Sequence, residues 1–392
     1  MQFDLVFEGG GAKGMVFVGA LQEFFRQGHT PGRLLGTSAG AITATLLAAG
    51  YSAGEMLAVL DEKVDGKSVF VGFLAHPGAL EVSALEHGAL ATLLQQHDNP
   101  LVPNALEAIG DQTLLWSLNA SRLGQSLLSF LERGGIFSAD AFVDWLRQKL
   151  NSGTVNGVQR AWGGLTLAEF AAVSGKNLTV VASDTSARQM LILNARTAPG
   201  VPVVWAVRMS MSVPLLWQEV VWRAEWGAYR GAALAGHSIV DGGLLSNFPL
   251  ELFVSALPSV TAVMGEKTAD NVLGLLLDDD APVPGVISEP DLSQQIPFQR
   301  FTNLLNTALE GRDKAVISAF DSLVVRLPAG GYGLTEFEMS DSRREALLVA
   351  GRQAMQTYLN TFSRRVLSFA VDSPVTPAEI ADEMANRLLK KF

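Results

Sequence analysis

Two glycine turns, each set between an apolar run and a helix-like run, constrain this chain more than any other feature. Gly36-Thr37-Ser38-Ala39-Gly40 follows Leu34-Leu35 and precedes the apolar run Ala41 to Ala49, closed by Gly50. Gly9-Gly10-Gly11-Ala12-Lys13-Gly14 follows Phe3-Asp4-Leu5-Val6-Phe7 and precedes Met15 to Gln27, closed by Gly28. Strand, tight turn and helix, twice over, is the rhythm of a parallel sheet with helical crossovers. A third turn, Asp241-Gly242-Gly243, follows Ile239-Val240. In an open α/β sheet, reacting groups gather where strands end. Gly-x-Ser-x-Gly is also the sequence of a nucleophile elbow. A serine on a sharp strand-to-helix turn needs small neighbours two residues away on each side.

The remaining pattern extends this outline. Ala139 to Leu150 reads as a helix with Ser138 at its N-cap and Phe142, Leu146 and Leu150 at helical spacing. Leu178 to Ala182 and Met190 to Leu193 read as a strand pair, and Val203 to Met209 as a further strand. Ser238 to Val240 leads as a strand into Asp241, and Asp278 to Pro297 reads as a surface loop. Leu323 to Leu327 and Leu334 to Met339 read as strands, and Asp341 to Phe369 as a long helix. Residues 66–133 mix apolar pieces with Pro, Gly and Asn breaks, and read as an inserted helical cap over Ser38. The expected division is a catalytic domain over 1–280, with 281–392 packed on the same body. Ala378 to Phe392 reads as a weakly amphipathic, solvated terminus.

Composition narrows the chemistry. With 392 residues, 48% hydrophobic and 17% charged, the chain has ample length and apolar content for a folded core. A net charge of −10 argues against nucleic acid as a partner, because that affinity rests on Lys and Arg neutralising phosphates. The absence of cysteine excludes disulfides, thiol catalysis and Cys-ligated metal. Met1-Gln2-Phe3-Asp4 has no basic leader, and Ala39 to Tyr51 is shorter than the ~20 residues of a membrane span. A soluble, cytoplasmic chain is expected.

Gly9-x-Gly11-x-x-Gly14 also fits the dinucleotide fingerprint. That fold needs an acidic residue about 20 positions on, yet Arg26 to Gly54 holds no Asp or Glu. Gly66-Lys67-Ser68 has the tail of a phosphate-binding loop, but Asp61 stands where its first glycine belongs. The first glycine turn reads instead as an oxyanion hole, where backbone N–H groups meet a developing negative charge. Ser38 is the candidate nucleophile. A Ser–acid–His triad in that chain order is poorly supplied, since no histidine follows His237 and His76, His87 and His97 fall in the cap. His237 reads as a surface residue, so a carboxylate must serve directly as base. Lys13 and Arg208 read either as loop-steadying or phosphate-meeting cations or as solvated ones. Trp217, Trp222 and Trp226, with Leu215 and Leu216, read either as an interfacial rim or as core.

At this point the residues resemble a family, the patatin-like phospholipases. Its pattern is Gly-Gly-Gly-x-[Arg/Lys]-Gly after a strand, then Gly-x-Ser-x-Gly, then Asp-Gly-[Gly/Ala], and all three occur here in order. Val181 to Thr185, Ala206 to Pro214 and Val240 to Pro249 are similar to the family as well. The resemblance implies a three-layer α/β fold, with a mainly parallel central sheet, helices on both faces and the helical cap insertion. It implies Ser38 as nucleophile and Asp241 as base. Gly10, Gly11 and Ala12 become the oxyanion donors, and Gly9, Gly14, Gly36, Gly40 and Gly242 the turn glycines, with no cofactor and no metal. The implied activity is cleavage of carboxylic esters in lipid or phospholipid, of phospholipase A or lysophospholipase type. Peripheral membrane contact is expected, and an activating protein partner is not specified. The competing readings are a silent lipid-binding protein, and an esterase or triacylglycerol lipase. A carboxylate is a weak base at neutral pH, so Asp241 must be partly desolvated to serve.

Overall fold

The computed structural model describes residues 1–81, 88, 116–286, 316–366 and 377–389. Its main sheet uses β1 (Gln2–Phe7), β2 (Thr30–Thr37), β3 (Leu178–Asp184), β4 (Gln189–Leu193), β5 (Val220–Val221), β6 (Ser238–Asp241), β7 (Asn271–Pro282) and β8 (Val324–Gly330). The order is β5-β6-β3-β2-β1-β7-β8, with β4 on β3. β1 is buried on both faces, which is why its sequence runs nearly unbroken in apolar residues. Phe3, Leu5 and Phe7 enter one core and Val6 the other. Asp4, buried among them, is matched by Arg33 at 2.7 Å.

One edge of β3 decides where chemistry can happen. β2 runs parallel to β3 from Leu34 beside Leu178 to Thr37 beside Val181. β6 runs antiparallel to it, from Ile239 beside Asp184 to Asp241 beside Ala182. β4 occupies Val180 to Asp184 as well. A strand has only two edges, so β2 and β6 share the one β4 leaves, and they meet end to end. Thr37 and Asp241, remote in sequence, thus face consecutive residues of β3.

Helices cover both faces. The larger core lies under α1 (Met15–Arg26), α2 (Ala39–Ala48), α3 (Ala53–Leu60), α5 (Asp140–Leu150), α7 (Val203–Ser210) and α10 (Asp341–Val366). α6 (Leu167–Ser174) adds Leu167 and Phe170 to it, and α4 (Arg122–Arg133) packs on the short strand Gly135–Phe137. The smaller core lies under α8 (Glu251–Val254), α9 (Pro258–Met264) and α11 (Pro377–Leu389). α10 packs on α1 through Leu347 and Leu348, joining the end of the chain to its beginning.

Several expectations need correction. Val203 to Met209 is helix, not strand. Pro202 precedes it, and burial nearly all round makes its apolar run look like a buried strand. Leu334 to Met339 is a loop, turned where the Glu336 carboxylate accepts the Gly333 N–H at 2.9 Å and pairs with Arg343 at 2.6 Å. Asp278 to Pro282 continues β7 rather than opening a loop, held by Pro328 and Gly330 of β8. Residues 287–297 lie outside the described residues. The C-terminal segment is not solvated: α11 buries Ala381, Ala385, Leu388 and Leu389. Asp382 of α11 also accepts the Ser255 hydroxyl at 2.6 Å and the Ala256 N–H at 2.9 Å. Residues 390–392 are not among those described. Ala139 rather than Ser138 precedes α5, but the Ser138 hydroxyl does accept the Asp140 N–H at 3.3 Å. Of 66–133, the 82–87 and 89–115 stretches fall outside the described residues. Its beginning is anchored by Phe70 and Phe73, whose rings meet Trp145 and Phe142 of α5 at 5.6 and 5.3 Å.

Candidate active site

Ser38 stands between β2 and α2 at φ 52°, ψ −121°. Such a backbone in a non-glycine residue costs of order 1–3 kcal/mol and persists only where the surroundings impose it. The surroundings here are two close backbone approaches. A Cβ at Gly36 would lie 2.2 Å from the Gly40 carbonyl oxygen, and one at Gly40 would lie 2.4 Å from that of Phe7. Gly40→Ala is therefore expected to lower stability by about 1–3 kcal/mol, the range of overpacking. Urea unfolding reads this directly, and an unchanged midpoint would show that the elbow is loose. The Ser38 N–H donates to the Ser210 hydroxyl at 2.8 Å, which fixes the serine from the end of α7. The N-terminus of α2 places its positive end beneath the serine.

Asp241 ends β6 and is 5% exposed. Burial pushes its carboxyl up to about 7, while the Gly243 N–H and the nearby Ser38 side chain pull it down. Gly243 N–H donates to Oδ1 at 2.7 Å. Oδ2 is buried without a hydrogen-bond partner among the described residues, and the Ser38 side chain lies near enough to help pull the carboxyl down. The Asp241 N–H donates to the Ser212 carbonyl at 2.9 Å. Ser212 is held by Arg208, whose guanidinium donates to its hydroxyl and, at 2.7 Å, to the Gln218 carbonyl. Arg208 is buried, and burial lowers its pKa to about 10. It is thus a fixed brace for the segment that holds Asp241, not a free cation for a phosphate.

The first glycine turn closes over this junction. A Cβ on Gly9 would sit 3.0 Å from that of Ser38, one on Gly14 would sit 3.2 Å from that of Ala39, and one on Gly242 would sit 3.0 Å from Thr37 Cγ2. Gly11, at φ 56°, lies where a Cβ would meet the Leu334 carbonyl oxygen at 2.2 Å, and Gly10 packs on Leu277. The Ala12 N–H donates to that same Leu334 carbonyl at 2.9 Å. It is committed elsewhere, so Ala12 does not fit the oxyanion role expected of it, while Gly10 and Gly11 stay candidates. Lys13 is paired with Asp279 of β7 at 2.7 Å, not solvated. Asn247 Nδ2 donates to the Gly9 carbonyl at 2.9 Å and to Glu8 Oε1 at 3.3 Å, and Glu8 Oε2 accepts the Leu277 N–H at 2.6 Å. Ser210, Ser212, Asn247, Glu8 and Leu334 are supports the sequence did not reveal individually. All but Glu8 fall inside stretches already singled out there.

The described histidines stand away from the junction. His237 Nδ1 pairs with Asp184 at 2.8 Å, so it is partnered rather than a plain surface residue. His76 meets Ser126 at 2.9 Å, and His29 packs on Phe3 and Phe24. His87 and His97 lie outside the described residues. Trp217, Trp222 and Trp226 are buried and form core rather than an interfacial rim; of their companions Leu216 is buried and Leu215 exposed. A cleft of about 550 Å³, open solvent included, runs beside the glycine turn. Gly11, Ala12 and Ala39 line it together with the apolar Ile42, Leu60, Phe70, Phe337 and Met339, and with Glu336 and Arg344. No helix among the described residues is long and apolar enough to cross a membrane.

A serine elbow and a buried carboxyl meet on one edge of a mainly parallel sheet with helices on both faces, an α/β fold. The chain belongs to the patatin-like phospholipase family, whose model matches residues 5–254, and that family places it among the lipid hydrolases. It is 25% identical over 370 residues to YqhO of Bacillus subtilis, an uncharacterized protein, covering 93% of this chain and all of that one. Among solved structures it is similar to VipD from Legionella pneumophila at a TM-score of 0.44 and 18% identity, over 92% of this chain and 67% of that one. It is also similar to the type III effector ExoU at 0.42 and 19%, over 91% of this chain. It spans about half of ExoU, 52%. ExoU of Pseudomonas aeruginosa has also been solved as a heterodimer with SpcU.

Proposed function

We propose that the protein cleaves carboxylic esters of acyl lipids, as a phospholipase A or lysophospholipase, through Ser38 and Asp241. The observation that carries this is a buried carboxyl with a pKa of about 7 at the junction where the strained Ser38 stands. Asp241 accepts the Ser38 proton as Oγ attacks the ester carbonyl. Negative charge collects on the carbonyl oxygen, where the Gly10 and Gly11 N–H groups and the α2 N-terminus meet it. One such donor is worth ~3 kcal/mol. The tetrahedral species collapses, Asp241 returns the proton to the departing alcohol, and the acyl group stays on Ser38. Water, deprotonated by Asp241, then releases the fatty acid. The apolar cleft beside Ala39 suits an acyl chain better than a head group.

The base must be ionised to act. The expected kcat/KM therefore falls on the acid side with a midpoint near pH 7, where Asp241 titrates, rather than near its ordinary 3.8. A rate unchanged down to about pH 5 would remove Asp241 from the role. The test of substrate class is a lipid screen with purified protein, with released fatty acid as readout. Phospholipid or lysophospholipid turnover above triacylglycerol turnover is expected. Exclusive triacylglycerol cleavage would make it a lipase, and no release from any class would leave a lipid-binding protein.

A further inference from the structure

Helix α4 is built inside out. Its inward positions are Gly124, Ser126, Leu128 and Ser129, while Leu123, Leu127 and Leu131, one turn apart, point outward at 82%, 47% and 42% exposure. The inward polar groups are satisfied. Ser129 donates to the Gly135 carbonyl at 2.5 Å and accepts from Gln218 at 2.9 Å, and Ser126 meets His76 at 2.9 Å. The helix is also firmly ended, by Ser121 accepting the Gly124 N–H at 3.1 Å and by Gly134 in the left-handed region. Its orientation is therefore set by hydrogen bonds. Single exposed leucines are ordinary, but a stripe of three opposite an inner face with only one leucine, Leu128, is not.

We propose that this stripe docks on the surface of an anionic phospholipid bilayer. Charge supports that occupant. Arg122 and Arg133 bracket the leucines, both are exposed, and neither side chain has an ion pair or hydrogen bond among the described residues. In a chain of net charge −10, two unpaired arginines at the two ends of an apolar stripe suit lipid phosphates above sunken leucines. Trp116, half exposed just before the helix, suits the same boundary. The stripe also connects to the reaction. The strand after α4 (Gly135–Phe137) pairs with Leu215–Trp217, and Leu215 is held at φ 65° with its side chain 40% exposed. Ser212, whose carbonyl holds the Asp241 N–H, lies three residues before it. Docking α4 would thus set the segment that carries Ser212 against the lipid surface, an inference that rests on the lipid hydrolase reading above.

The test floats Ser38→Ala protein with vesicles of phosphatidylcholine and phosphatidylglycerol in equal parts, or of phosphatidylcholine alone. The inactive background makes binding independent of turnover. Flotation with the mixed vesicles is expected, falling about tenfold or more when Leu123, Leu127 and Leu131 are all changed to Asp. Arg122→Gln with Arg133→Gln should lower mixed-vesicle binding to the level of the neutral vesicles. With Ser38 intact, the leucine variant should lose vesicle hydrolysis but keep its melting temperature and its rate on a monomeric short-chain ester. The proposal is overturned if the Ser38→Ala protein does not float or if the leucine variant floats equally well. It is also overturned if that variant merely turns a dimer into a monomer on size exclusion. Flotation without any short-ester turnover by the Ser38-intact protein would sink the hydrolase reading and leave the docking surface standing.

Discussion

Ser38→Ala is expected to lower ester hydrolysis by about 10⁶-fold, the cost of removing a nucleophile from a serine hydrolase. Stability should stay within about 0.5 kcal/mol, as for a change that opens no core cavity. What holds the elbow is backbone: the Ser38 N–H to Ser210 contact and the close passages at Gly36 and Gly40 survive loss of the hydroxyl. Alanine inherits the same φ of 52°. Turnover and urea unfolding on one preparation separate the two effects. Near-normal turnover would remove Ser38 from the mechanism.

Asp241→Asn should do two opposite things. Activity should fall by about 10⁴-fold, because an amide cannot take the serine proton. Stability should rise at alkaline pH. Below 3.8 the folded and unfolded chains both hold the Asp241 proton, and the substitution is close to neutral. Between 3.8 and about 7 the unfolded chain releases that proton while the folded chain keeps it, so the native protein loses stability as pH rises. Above this window the folded state carries a buried charge. A rise from 3.8 to about 7 corresponds to about 4 kcal/mol, an upper figure. Asparagine avoids that cost and can still accept the Gly243 N–H. Denaturant midpoints for both proteins near pH 4 and pH 8 measure it. A variant less stable than the native protein at the higher pH would show that Asp241 is not desolvated as described. His237→Ala should cost activity no more than a few-fold. A His237 variant as inert as the Asp241 variant would replace the dyad with a triad.

The elbow and both glycine turns were legible because each is a local device. A serine two residues from glycine on either side, after a buried strand, states its geometry within five positions. The meeting of Thr37 and Asp241 was implied only by the family resemblance, because it depends on β2 and β6 sharing an edge of β3, a register written in none of the three strands alone. Ala12 was misread for a similar reason: the carbonyl that takes its N–H belongs to Leu334, on a loop that reads as a strand in isolation. Val203 to Met209 misled because a helix buried nearly all round loses its period. The tryptophans read equally as rim or core until packing placed Trp222 against Trp226 and Tyr229, inside. The outward leucines of α4 were seen only as apolar content within a cap. Their direction became visible once Ser126 and Ser129 were found hydrogen-bonded on the inner face.

Covalent labelling tests the Ser38–Asp241 dyad most directly. A fluorophosphonate reacts preferentially with an activated serine, and a peptide map locates the adduct. One adduct per chain, on Ser38, is expected in the native protein, with none in Ser38→Ala and a strongly slowed reaction in Asp241→Asn. An adduct on any other residue, or labelling of Ser38→Ala at the native rate, would contradict the dyad.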